Sequence, residues 1–177
     1  MSRRLADGFP DAGARVRADD IAAVVALGAN LGDRAETMAA AVADLRRLPL
    51  VSEVRMSTPI DSVAVKPSGP DPAAPAYLNA VAIVHTRLAP SVLLSFLHDI
   101  EERHGRVRRE RWGDRTLDLD LISYADVTSD APELTLPHPR AAERDFVLAP
   151  WLEVDPAAVL PGRGAVADLL AEIRAAS

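Results

Sequence analysis

Three runs of strand length alternate with segments of helical periodicity, and this order restricts the fold more than any other feature of the sequence. Ile21–Leu27 is an apolar run stopped by Gly28-Ala29-Asn30-Leu31-Gly32, which reads as a central strand. Asp33 followed by Glu36 gives a capping-box-like start, and Met38, Val42, Leu45 and Leu48 then recur at helical spacing until Pro49. Val54 and Met56 alternate with polar neighbours as in a half-buried strand. Tyr77–Thr86 is a second clear strand, with Tyr77, Asn79, Val81 and Ile83 on one face. Pro90 suits a first helical turn, Leu93, Leu94, Leu97 and Ile100 form the apolar stripe, and Gly105 ends it. Thr116–Tyr124 is the third strand, with Leu117, Leu119 and Leu121 facing one way and Asp118 and Asp120 the other. Two short helical stretches, about 140–148 and 165–175, follow a turn-rich segment. The interleaving lacks a regular βαβ period, so it favours an α+β fold over a doubly wound sheet.

Residues 59–76 hold Pro59, Pro67, Pro70, Pro72 and Pro75 and are expected to form a long exposed loop, either disordered or acting as a lid. Residues 1–20 have basic residues without an apolar stretch behind them, so they are expected to be a flexible polar extension rather than a secretory signal. Residues 21–177 are expected to form a single domain. Cys is absent, which excludes disulfides, thiolate metal sites and cysteine nucleophiles. No apolar run approaches the roughly 20 residues that cross a bilayer, so neither a membrane nor an oxidising compartment is expected and the cytoplasm is the simplest location.

The net charge of −6 argues against a broad nucleic-acid surface, yet six Arg fall between Arg103 and Arg115. Such a cluster in an acidic chain points to a local anion site. Directly after it, Asp118 and Asp120 share a strand face with Cα atoms roughly 6.6 Å apart. That spacing suits Mg²⁺, which takes one or two carboxylates together with substrate phosphates and water. Alone, the pair reads more readily as a solvated strand face, and the arginines as a solvated basic loop. Side by side, they supply both partners that phosphoryl transfer requires. Trp112 in the cluster suggests stacking on a heterocycle, or else a loop anchor packed on the core. Asn79, beside Tyr77, offers a donor and an acceptor to a planar edge. Neither a Walker loop nor a dinucleotide fingerprint is present, and the four His show no zinc-ligand spacing.

The segments GRVRRERWGDRTLDLDLI, YLNAV, LGANLGDR and LPHPRAAERDFVLAPW together resemble the hydroxymethyldihydropterin pyrophosphokinases of folate biosynthesis, in order and spacing over about residues 21–162. The resemblance implies a ferredoxin-like α+β fold, a mostly antiparallel sheet with helices packed on it and flexible catalytic loops. It implies transfer of the pyrophosphoryl group of ATP to the hydroxymethyl group of 6-hydroxymethyl-7,8-dihydropterin, releasing AMP, with two Mg²⁺ ions. Asp118 and Asp120 would hold the metal. Arg106 and Arg115 would be the catalytic arginines, and His98, Arg108, Arg111, His138 and Arg144 would bind ATP. Ser62, Val65, Tyr77, Asn79, Trp112 and Phe146 would form the pterin slot. A monomer is expected, with these two small molecules as its partners. The alternatives are another Mg²⁺-dependent nucleotide-using transferase and a non-enzymatic RNA-binding module of ferredoxin-like fold. Residues 59–76 and 106–112 are expected to act as lids that close over the two substrates.

Overall fold

A computed structural model describes residues 16–66, 69–71, 76–105 and 116–176, with backbone alone for 64–66 and 69–71. The sheet is built from β1 (Ile21–Ala29), β2 (Val51–Met56), β3 (Ile60–Ser62), β6 (Tyr77–Thr86) and β7 (Asp118–Tyr124). Its order is β2-β6-β1-β7, all pairs are antiparallel, and β3 continues beside β6 beyond β2. Between β1 and β2 lies α1 (Arg34–Arg47), and between β6 and β7 lies α2 (Pro90–Arg103). This is the ferredoxin-like arrangement of two split βαβ units.

Period-2 alternation divides the sheet into two apolar faces. Ala23, Val25 and Leu27 of β1, Ala80, Ala82 and Val84 of β6 and Leu117, Leu119 and Leu121 at β7 pack with Met38, Leu45, Leu93, Leu97 and Ile100 of α1 and α2. Each fully buried Leu or Ile of this set contributes about 1.5–3 kcal/mol of transfer free energy. The opposite face carries Val24, Val81 and Ile122 against α3 (Asp145–Val154) and α4 (Val166–Ala176). Ile122 follows Asp120 on that face by simple alternation. Val24 pairs with Ser123 and Val25 with Leu121, so a β-bulge lies at Ile122, and beyond it the alternation resets and Tyr124 returns to the first core.

Capping follows the local chemistry. The Asp33 carboxylate accepts from Glu36 N at 2.9 Å at the start of α1, and Gly105, with φ +84°, follows the C-cap His104 of α2.

Three expectations need correction. Part of the 59–76 stretch is ordered strand. β3 pairs with β6 (Ser62 opposite Tyr77), and β4 (Ala64–Lys66) pairs with β5 (Gly69–Asp71). Edge strands tolerate Pro because one side of the backbone needs no partner. The helix expected over 140–148 is instead a 3₁₀ turn at Ala141–Glu143 followed by α3, which continues through Pro150 to Val154. Losing one helical bond at a Pro costs about 3 kcal/mol. Burial of Val147, Leu148 and Trp151 at about 1.5–3 kcal/mol each offsets it. The turn-rich segment contains a hairpin, β8 (Ser129–Ala131) and β9 (Leu134–Leu136). The chain ends with a short hairpin, β10 (Val159–Leu160) with β11 (Gly164–Ala165), and α4.

Candidate active site

Strand register sets the site. Gly28 at the end of β1 stands opposite Asn79 on β6 and opposite Asp118 on β7, so these three residues form one row across the sheet. The next row on that face joins Ala26 to Val81 and Asp120. Small residues on the central strand thus leave a trough between the amide of Asn79 and the two carboxylates. A Cβ on Gly28 would lie 3.4 Å from Asn79 Oδ1 and 3.8 Å from the Tyr77 ring. A side chain there would occupy the floor of the trough.

The trough is a cavity of about 320 Å³, at the small end of the range for ligand pockets. Ser62, Val63 and Tyr77 bound one side, Phe146 and Val147 of α3 another, and Asp118, Asp120, His138 and Arg144 the far end. Asn79 is 6% exposed, and its Nδ2 donates to Ser62 Oγ at 2.6 Å. That bond fixes the amide plane and turns Oδ1 toward the space above Gly28, where it can accept from a planar ring N–H. The guanidinium of Arg144 lies 5.8 Å from the centre of the Phe146 ring and donates to Asp120 Oδ2 at 3.1 Å.

A second cavity of about 230 Å³ opens at the other side of β7, lined by Leu94, His98 and Glu101 of α2 and by Glu133, Leu134 and Thr135 of the β8–β9 hairpin. Asp118, Asp120 and His138 line both cavities. The carboxylate pair therefore stands where two binding spaces meet.

His138 is held between two prolines, its N–H donating to Ile122 O at 2.8 Å. Arg140 N donates to its Nδ1 at 3.2 Å, so in the neutral ring the proton is on Nε2, 3.9 Å from Asp120 Oδ2. Burial lowers its pKa below the ordinary 6.5; Asp120 opposes the shift, while Arg144 and Arg140 add to it. The ring is a neutral donor at neutral pH.

Among the described residues, no group of three or more His, Cys, Asp or Glu could close around a metal ion. Two carboxylates on one strand face fit a hard cation that keeps phosphate and water ligands, and do not fit a closed structural site.

Of the residues singled out from sequence, Ser62, Tyr77, Asn79, Phe146, Arg144, Asp118, Asp120 and His138 line the first cavity, and His98 lines the second. Val65 lies in β4 opposite Pro70, its side chain outside the described residues. Arg106, Arg108, Arg111, Trp112 and Arg115 also fall outside them, as does the 106–112 lid. Sequence reasoning missed Gly28, taken only as a strand stop, and Arg140, Glu143, Glu101 and Thr135. A glycine at the end of an apolar strand was the available signal for close approach of a ligand.

The fold and the family agree with this geometry. The family model for 7,8-dihydro-6-hydroxymethylpterin-pyrophosphokinase (HPPK) matches residues 24–156. This chain belongs to the HPPK family. The 2-amino-4-hydroxy-6-hydroxymethyldihydropteridine pyrophosphokinase of Haemophilus influenzae is 39% identical over 150 residues, 85% of this chain and 91% of its own. The protein of that name from Synechocystis is 40% identical over 142 residues, 80% of this chain and 70% of its own. A crystal structure of Plasmodium falciparum HPPK-DHPS with pterin and p-hydrobenzoate superposes with a TM-score of 0.63 at 12% identity, over 86% of this chain and 44% of that one. The HPPK fold here thus spans less than half of that longer protein.

Proposed function

We propose that this chain transfers the pyrophosphoryl group of ATP to the hydroxymethyl oxygen of 6-hydroxymethyl-7,8-dihydropterin, releasing AMP, as a step of folate biosynthesis. The observation that carries the reading is the position of Asp118 and Asp120 between two cavities that, among the described residues, share only these carboxylates and His138. A pterin in the trough over Gly28 would stack on Phe146 and Tyr77 and give its ring N–H to Asn79 Oδ1. Ser62 completes that side of the slot, and Val65 joins it on the resemblance alone. ATP would occupy the second cavity beside His98, with its phosphates reaching Asp118 and Asp120. His138 and Arg144 donate to phosphate oxygens.

In the reaction the hydroxymethyl oxygen forms a bond to the β-phosphorus. The bond from that phosphorus to the oxygen shared with the α-phosphate breaks, and AMP leaves with the electron pair. Asp118, in register with Asn79 across Gly28, would accept the hydroxyl proton. Mg²⁺ supplies charge neutralisation on the phosphates when bound, and two ions are proposed. Arg106 and Arg115, with Arg108, Arg111 and Trp112, complete the reading on the resemblance alone. Catalysis of this kind is positioning and electrostatics, so no protein nucleophile is needed.

We place the working enzyme in the cytoplasm as a monomer, residues 21–177 forming its single domain and 1–20 a polar extension. Among the described residues no helix is long and apolar enough to cross a membrane. Incubation with ATP, Mg²⁺ and the reduced hydroxymethylpterin, with nucleotides resolved, tests the reading. AMP and pterin pyrophosphate in equal amounts are expected; ADP as the nucleotide product would overturn it.

A further inference from the structure

The apolar stripe of α2 carries a carboxylate at a core position. Leu93, Leu97 and Ile100 are completely buried, and Glu101, four residues after Leu97, is 1% exposed. A Leu there would continue the stripe. Burying a carboxylate is unfavourable unless it finds strong donors, so its position calls for a reason. Glu101 Oε1 accepts from the backbone N–H of Leu119 at 2.7 Å, a short hydrogen bond. Leu119 lies between Asp118 and Asp120.

β7 pairs with β1 along one edge, and the described residues supply no strand along the other. Polar backbone groups on that outer edge need partners from elsewhere. His138 N serves the Ile122 carbonyl, and Glu101 serves the Leu119 amide. A paired strand in their place would cover the edge where the second cavity opens beside the two aspartates. One carboxylate oxygen satisfies the amide and leaves that edge accessible.

We infer that Glu101 is a positioning residue for the Asp118–Asp120 pair: its carboxylate fixes the peptide between them, so that both side chains meet a phosphate-bound divalent cation without rearrangement. The inference rests on the proposed role of the two aspartates. Glu101 also borders the second cavity, but this role works through the peptide of Leu119. Its part is the hydrogen bond to Leu119, and an uncharged acceptor of the same length serves equally.

Two substitutions separate this role from simple core filling. Glu101→Leu fills the space but accepts no hydrogen bond. Glu101→Gln keeps the acceptor and removes the charge. Mg²⁺ is titrated into each protein with a non-hydrolysable ATP analogue present, and the amide resonances of Asp118 and Asp120 are followed by NMR. The Leu variant is expected to need about 10-fold more Mg²⁺ for half-saturation, as for other residues that orient metal ligands. The Gln variant should keep the wild-type midpoint. Amide exchange at Leu119 in the metal-free proteins gives a readout independent of ligand, expected to be slow in the wild type and in Glu101→Gln. An unchanged midpoint in a folded Glu101→Leu protein, or a Gln variant displaced like the Leu variant, would overturn the inference. Rapid exchange at Leu119 in the wild type would do so even if the Leu variant fails to fold. Failure of the proposed reaction would appear separately, as absence of AMP from wild-type protein.

Discussion

Asp120 is the residue on which the two cavities depend most directly. Its Oδ2 takes the Arg144 guanidinium at 3.1 Å and faces His138 Nε2 at 3.9 Å, so an anion already attracts the two side chains proposed to hold phosphate. Asn at 118 or 120 preserves shape and hydrogen-bond acceptance but removes charge. Asp118→Asn and Asp120→Asn should each lower turnover at limiting Mg²⁺ on the order of 10²-fold, the scale of losing one electrostatic contact to a transition state. Thermal unfolding should stay near wild type in both; wild-type turnover in both would show that the pair does not handle metal. A second residue controls acid sensitivity. Glu153 Oε1 accepts from Thr58 N at 2.9 Å and Thr58 Oγ1 at 2.8 Å, tying α3 to the chain after β2, and these bonds hold its pKa below the ordinary 4.5. As pH falls, the unfolded chain takes up this proton before the folded one. The stabilisation is therefore complete above the ordinary value and disappears as pH falls through the lowered one. Glu153→Gln should lower the urea midpoint at pH 7 and do so progressively less as pH falls below the ordinary 4.5, so the two pH curves converge in acid; parallel curves would refute the linkage.

At the level of elements, local rules worked where one periodicity dominated. Asp33 illustrates this: a carboxylate just before an amphipathic run does cap α1, and Asp33→Ala should cost about 1 kcal/mol in urea unfolding without altering the substrate sites. The three long strands were legible because each puts a continuous apolar set into a core, and the alternation in 117–121 gave the facing of Asp118 and Asp120 directly. Elements that depend on tertiary partners were not legible. Ile60–Ser62 has little pattern of its own and becomes a strand because β6 extends past β2 and offers free backbone groups. α3 crosses Pro150 because two neighbouring elements bury its apolar side, information that no local window contains. The site shows the same division. Tyr77 and Asn79 could be paired by period-2 spacing, whereas the row Asn79–Gly28–Asp118 depends on register between strands far apart in sequence. Glu101 was hidden for a related reason, since a carboxylate near a helix end usually faces solvent.

On the scale of the whole molecule, the sheet acts as a partition. One cavity lies over the small residues of β1 on the α3 face, and the other lies between α2 and the β8–β9 hairpin, with the carboxylates of β7 between them. In the proposed reaction, transfer from one ligand to the other would cross at Asp118 and Asp120, and among the described residues each ligand would otherwise meet its own set of side chains. Substitutions should therefore separate by cavity. Asn79→Ala removes the amide proposed to read the ring edge and its bond to Ser62, so it should raise the KM for the pterin by one to two orders of magnitude, about 1–3 kcal/mol for a buried hydrogen bond lost, and leave the KM for ATP unchanged. His98→Ala, on the α2 wall, should do the reverse with a smaller effect, because its position borders a more open space. Asp120→Asn should affect both substrates through turnover rather than through either KM alone. Steady-state kinetics with each substrate varied at saturating levels of the other measures all three. If Asn79→Ala and His98→Ala each raised both KM values equally, the two cavities would not be separate binding sites, and the carboxylates would not be the boundary between them.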